Sequence, residues 1–116
     1  MNRDIELYRG DTALITCRVK QNRVVFDLTD YTIEINVKED YSKSDSDILF
    51  TVTGTISNPT TGIGIINLGP TETDRECKKY VYDIKIYKDD EYGDPIDIKT
   101  LKTGYFVINN VVKRTV

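Results

Sequence analysis

Acidic side chains gather at two places in this chain. Asp89, Asp90, Glu91 and Asp94 crowd one short stretch, and Asp40, Asp45 and Asp47 another. Carboxylates at that density can hold calcium, which takes several oxygen ligands. Neither stretch has the Asp-x-Asp-x-Asp-Gly spacing of a calcium loop, and both read more simply as solvated turns. Asp83 and Glu34 could serve glycoside hydrolysis only if they faced each other across a cleft. Both fall on strand faces expected to point outward, so surface charge is the simpler reading. The chain has no histidine. That removes the Ser-His-Asp and Cys-His arrangements, most zinc sites and the commonest general base. Cys17 and Cys77 alone cannot complete a zinc site without carboxylates. Gly62-Ile63-Gly64 runs into strand residues, not into a helix whose N-terminus could hold phosphate. The expectation is a non-enzymatic protein with no cofactor and no metal.

Eight tyrosines offer a different chemistry. Tyr8, Tyr41, Tyr87 and Tyr92 fall in loops or at exposed positions, where tyrosine favours protein interfaces and sugar-binding platforms. Tyr80 and Tyr82 fall on the inward side of a strand. Core packing is their simpler role, with one hydroxyl bonded to nearby backbone as in a tyrosine corner. Arg9-Gly10-Asp11 spells an integrin-binding tripeptide, but Gly10 more simply supplies a turn.

The elements that carry these residues are strands. Residues 79–87 alternate strictly, with Tyr80, Tyr82, Ile84 and Ile86 on one face and Val81, Asp83, Lys85 and Tyr87 on the other. Residues 32–38 do the same, with Ile33, Ile35 and Val37 inward. Further strand-like runs cover 5–8, 13–19, 24–26, 48–57, 63–68, 96–101 and 105–108. Residues 39–47 read as an exposed loop. Residues 69–76 break the β pattern, and Thr71 three residues before Asp74 reads as the cap of one short helical turn near 71–76. Short strands separated by turn signals, without a long helix, predict an all-β fold: an antiparallel β-sandwich of 7–8 strands in a single domain, 1–116. Sixteen basic and nineteen acidic residues give a net charge of −3, with no basic stripe. That argues against nucleic acid, whose binding needs a positive footprint. No apolar run reaches membrane-spanning length. Met1 to Asp4 lead into a strand with no signal-peptide core, so the thiols are expected to be free in a reducing compartment. A Cys17–Cys77 disulfide would instead indicate a small secreted immunoglobulin-like domain.

Several local patterns occur in a telling order. Arg9-Gly10-Asp11-Thr12 precedes an alternating strand, and Asp27-Leu28-Thr29-Asp30 precedes Ile33 to Lys38. A glycine-containing hairpin ends in Ile65-Ile66-Asn67-Leu68. The segment from Gly69 to Glu76 leads into Tyr80-Val81-Tyr82-Asp83-Ile84, and Gly104-Tyr105-Phe106-Val107 closes the series. This order resembles the N-terminal domain of phage upper baseplate proteins, the BppU-type domain of tailed phages and prophages of Gram-positive bacteria. The resemblance spans nearly the whole chain. It implies an immunoglobulin-like β-sandwich that docks into a tail tip or baseplate, without enzyme activity or cofactor. The implied partners are other tail or baseplate proteins and further copies of itself. The implied location is the virion tail, after synthesis in the host cytoplasm. Edge strands at 5–8 and 105–108 are the expected docking sites. The rival reading is a carbohydrate-binding or adhesion module using Tyr41, Tyr87 and Tyr92.

Overall fold

Strict alternation in two neighbouring segments sets the architecture. In the computed structural model, which describes residues 4–112, the strands are β1 (Ile5–Tyr8), β2 (Ala13–Arg18), β3 (Lys20–Gln21), β4 (Val24–Val25), β5 (Thr32–Lys38), β6 (Phe50–Thr53), β7 (Thr55–Asn58), β8 (Ile63–Leu68), β9 (Lys79–Asp89) and β10 (Pro95–Asn109). A single-turn helix α1 (Pro70–Thr73) lies between β8 and β9. One sheet runs β1-β10-β9-β5-β6 and the other β2-β8-β7; β3 and β4 form a separate small hairpin. With β2, β8 and β7 as strands B, E and D, and β5, β9 and β10 as C, F and G, this is the immunoglobulin-like arrangement. The first strand departs from the constant-domain pattern. It lies parallel beside β10, with Ile5 opposite Phe106, and not beside β2.

The core is the inward row of each strand. Ile33, Ile35 and Val37 of β5 and Ile84 and Ile86 of β9 are fully buried, joined by Tyr82, Phe106, Ile108, Ile66 and Leu68. Each contributes about 1.5–3 kcal/mol on burial. Phe50 and Phe106 meet edge to face, with ring centroids 5.9 Å apart. Cys17 and Cys77 are free thiols; Cys17 stands on β2, but Cys77 precedes β9 and no bridge pins the sheets.

Several expectations change. Residues 48–57 are not one strand. The chain leaves the larger sheet after Thr53 and enters the smaller one at Thr55, crossing at Gly54. A Cβ on Gly54 would collide with the Ile65 carbonyl oxygen and lie 2.9 Å from Ile33 Cγ2, so only glycine fits the crossing. The helical turn spans Pro70–Thr73 and is not capped by Thr71. Gly69 caps it, and the Glu72 carboxylate accepts the Gly69 N–H at 2.9 Å. The β7–β8 pairing shifts register on β7, between Ile56 and Asn58, and on β8 Ile66 is fully buried whereas its neighbour Ile65 is not. Residues 96–108 form one strand with register shifts at 96–99 and 100–102. Residues 105–108 are no edge, because β1 covers them. Asn22 and Arg23, both at positive φ, turn the β3–β4 hairpin. Residues 1–3, most of the Met1 to Asp4 stretch, lie outside the described residues.

The two core glycines should respond differently to a methyl group. Gly54→Ala meets rigid backbone and should cost about 2–3 kcal/mol, whereas Gly64→Ala meets the movable Ile33 Cδ1 at 2.9 Å and should cost about 1 kcal/mol. Urea unfolding midpoints measure this; equal midpoints would contradict the rigid crossing.

Candidate functional site: turns, outer faces and edges

The chemically conspicuous residues are placed by local structure, and most are occupied by it. Asp90 shapes the β9–β10 turn: its carboxylate accepts the N–H groups of Tyr92 (2.8 Å) and Asp94 (2.9 Å). Asp40 accepts from the backbone and hydroxyl of Ser42, and Asp27 from those of Thr29. Asp45 pairs with Lys38 at 2.9 Å. Short acids recur at turns because they substitute for backbone acceptors two residues on. Among the described residues, no group of three or more acids or cysteines has metal-binding geometry.

Arg9-Gly10-Asp11 is drawn into the corner around α1. Arg9 Nε donates to Asp74 at 3.0 Å, Gly10 N–H to the Thr73 carbonyl at 3.3 Å, and the buried Thr73 hydroxyl to the Asp11 carbonyl at 2.7 Å. Gly10 has φ +86°, a left-handed turn conformation that suits glycine. On the other side of the corner, Tyr80 Oη donates to the Glu76 carbonyl at 2.7 Å, with Lys78 Nζ 5.3 Å from the ring centre. This is the tyrosine corner expected at the start of strand F. Other basic residues sit singly over separate rings: Arg75 over Phe50, Lys79 over Tyr105, Lys88 over Tyr31 and Lys99 over Phe26.

The outer face of the five-stranded sheet is a polar row. Thr51 donates to Asn36 at 2.6 Å, and Asn36 to Asp83 at 3.0 Å; Lys85 lies 3.8 Å from the other Asp83 oxygen. Asp83 and Glu34 thus share an outer face, as expected. The 39–47 loop folds over the neighbouring part of that face. Lys38 Nζ holds it through the Lys43 carbonyl, Lys78 pairs with Glu39, and Tyr41 Oη donates to the Gly104 carbonyl at 3.2 Å. Val81, whose parity places it on this outer face, is 5% exposed.

The four candidate tyrosines do not converge. Tyr8 ends β1 opposite Asn109, and Tyr92 lies in the turn before Pro95, at the other end of β10. Tyr41 is exposed but tethered. Tyr87 is half-buried on the outer face, in an open groove of about 380 Å³ with Glu34, Lys85, Asp89, Pro95 and Ile98. Sequence reasoning missed two apolar surfaces: Leu14, 63% exposed on β2, and Ile96 and Ile98 on β10. The signal for Leu14 was present, since it breaks the polar outward row of Thr16 and Arg18. Compared with known proteins, the chain matches no protein-family model and no curated protein sequence.

Two groups of shifts set the pH response. Asp27, Asp40, Asp45 and Glu39 sit below their ordinary values of 3.8 (Asp) and 4.5 (Glu), through hydrogen bonds from Thr29, Ser42, Lys38 and Lys78 respectively. Depressed carboxylates stabilise the fold above the ordinary value, and that contribution is lost as pH falls through the folded one. Burial pushes Cys17 above 9.0 and Tyr80 and Tyr87 above 10.0, with Glu34 assisting at Tyr87. Raised acids stabilise fully below the ordinary value, and that contribution is lost as pH rises through the folded one. With no histidine between them, the melting temperature should be flat over about pH 6–8, falling below about pH 4.5 and above about pH 9. Scanning calorimetry across that range tests it; a step near pH 6.5 would sink the assignment.

Proposed function

We propose that the protein is a structural, non-enzymatic component of a phage or prophage tail, acting through protein–protein contacts in a baseplate or tail tip. The resemblance in motif order supports this reading, together with the immunoglobulin-like sheet arrangement on which that order falls. The observation that carries it furthest is where polar chemistry goes. Turn acids are bonded to backbone and lysines lie on separate rings, whereas unpaired sheet edges and the apolar Leu14, Ile96 and Ile98 are exposed. Backbone edges and apolar side chains are the means by which β domains join assemblies. The proposed location is the virion tail, reached after synthesis in the host cytoplasm. Other tail or baseplate proteins are its partners. Virions purified after prophage induction should contain the tagged chain, with immunogold label at the tail end. Its absence from virions and from tail intermediates would refute the reading.

One observation favours a second reading, a carbohydrate-binding or adhesion module. The Tyr87 groove joins an aromatic side chain to Glu34, Lys85, Asp89 and the apolar Ile98. Tyr41 and Tyr92 do not line it. A glycan array on which the protein binds one sugar class, with binding lost in Tyr87→Ala and kept in Tyr92→Ala, would establish this alternative; a blank array removes it.

A further inference from the structure

Every open sandwich has edges, and this one blunts them unequally. β1, β6 and β7 are four residues each. The stretch of β10 beyond β1 begins at Pro95, carries two register shifts, and presents Lys99 and Lys102. Proline, bulges and lysines are the usual means of discouraging strand addition. β2 has none of these inside its six residues, Ala-Leu-Ile-Thr-Cys-Arg, and its pairing with β8 is regular from Ala13 to Arg18. Among the described residues no strand pairs its far side. The position beside it is where strand A of an immunoglobulin constant domain would lie. The inward row shows the consequence: Ala13, Ile15 and Cys17 stay partly exposed, whereas Ile33 and Ile35 are fully buried.

Charge says what fits there. The end of β2 nearest β1 opens onto a groove of about 360 Å³ lined by Glu6, Tyr8, Asp11, Thr12 and Ala13. The opposite end carries Arg18, followed by Lys20 on β3. A strand acidic at its start and basic at its end is complementary to itself in antiparallel pairing and repels itself in parallel pairing.

We propose that β2 is a self-association edge: a second copy of this chain pairs with it antiparallel about a two-fold axis near Ile15, joining two three-stranded sheets into one of six strands. Arg18 of each copy then reaches the Glu6–Asp11 groove of the other, and Leu14 lies opposite Thr16 across the axis. Two-fold symmetry makes each contact occur twice. One strand pair buries little area, so the contact is weak in dilute solution, with Kd on the order of 10–100 µM, and tightens where an assembly holds copies close together.

This deepens the assembly reading but is tested independently of it. Sedimentation equilibrium of the purified protein should show a monomer–dimer equilibrium, and amide exchange across 14–18 should slow as concentration rises. Arg18→Glu should weaken dimerisation about tenfold, and Asp11→Arg with Arg18→Glu should restore it. Thr16→Lys, at an exposed position, should weaken it while leaving the circular-dichroism melt unchanged. A protein monomeric up to about 500 µM overturns the inference, as does dimerisation indifferent to both Arg18→Glu and Thr16→Lys. Either result leaves the tail reading standing on its own virion test.

Discussion

Ile33, fully buried between the two sheets, fits there because Gly54 and Gly64 leave it room. Its Cγ2 and Cδ1 approach the places where those glycines would carry a Cβ. In antibody domains a disulfide between strands B and F helps set this spacing. Here Cys17 stands on strand B, but Cys77 falls short of strand F, and the spacing rests on shape alone. Close-packed interiors transmit a misfit of one methyl group. The rows that bury Ile35, Val37, Ile84 and Ile86 therefore depend on two positions that contribute no side chain at all.

The corner around α1 then fixes how the strands align on that spacing. Thr73, fully buried, ties it to the β1–β2 turn, and Tyr80 ties the start of β9 back to Glu76. A shift of β9 by one residue would send Tyr82, Ile84 and Ile86 to the outer face, where Asp83 and Lys85 now stand. The same corner takes up the Arg9 side chain, paired with Asp74, and the backbone carbonyl of Asp11. Structure and candidate chemistry compete for the Arg9 side chain here, and hydrogen-bond geometry shows the structural use.

Local pattern made β5 and β9 legible, because each buries one face and period-two alternation survives intact. It also placed the tyrosine corner, the turn character of the acidic clusters, and the outward Asp83 and Glu34. It failed where two signals coincide. Ile48, Phe50, Val52 and Ile56 keep one parity across the sheet change, since both β6 and β7 face the same core; only the steric setting of Gly54 reveals the crossing. The helix cap was readable from Gly69-Pro70 and Glu72, a proline at the first helical position with a glutamate at the third. The parallel pairing of β1 on β10 has no local signature, so 105–108 looked like an edge. The four tyrosines share a residue type without sharing a surface, which spacing along a chain does not reveal.

The outer faces of the sandwich differ in a way that bears on how it meets other molecules. On the larger sheet, Thr51, Asn36, Asp83 and Lys85 satisfy one another across three strands, and the 39–47 loop covers more of the face. Displacing water there returns little, because its polar groups are already paired with each other. On the smaller sheet, Leu14 sits opposite Asn67 and Thr16 opposite Ile65, a face poor in charge. Covering it removes apolar area from water and strips few charges of solvent, the term that most often cancels such gains. The edge beside that face is also the one whose unpaired backbone is not guarded by proline, bulge or internal lysine. Among the described residues, low desolvation cost and an open hydrogen-bond ladder thus fall on the same side of the molecule, opposite the polar row.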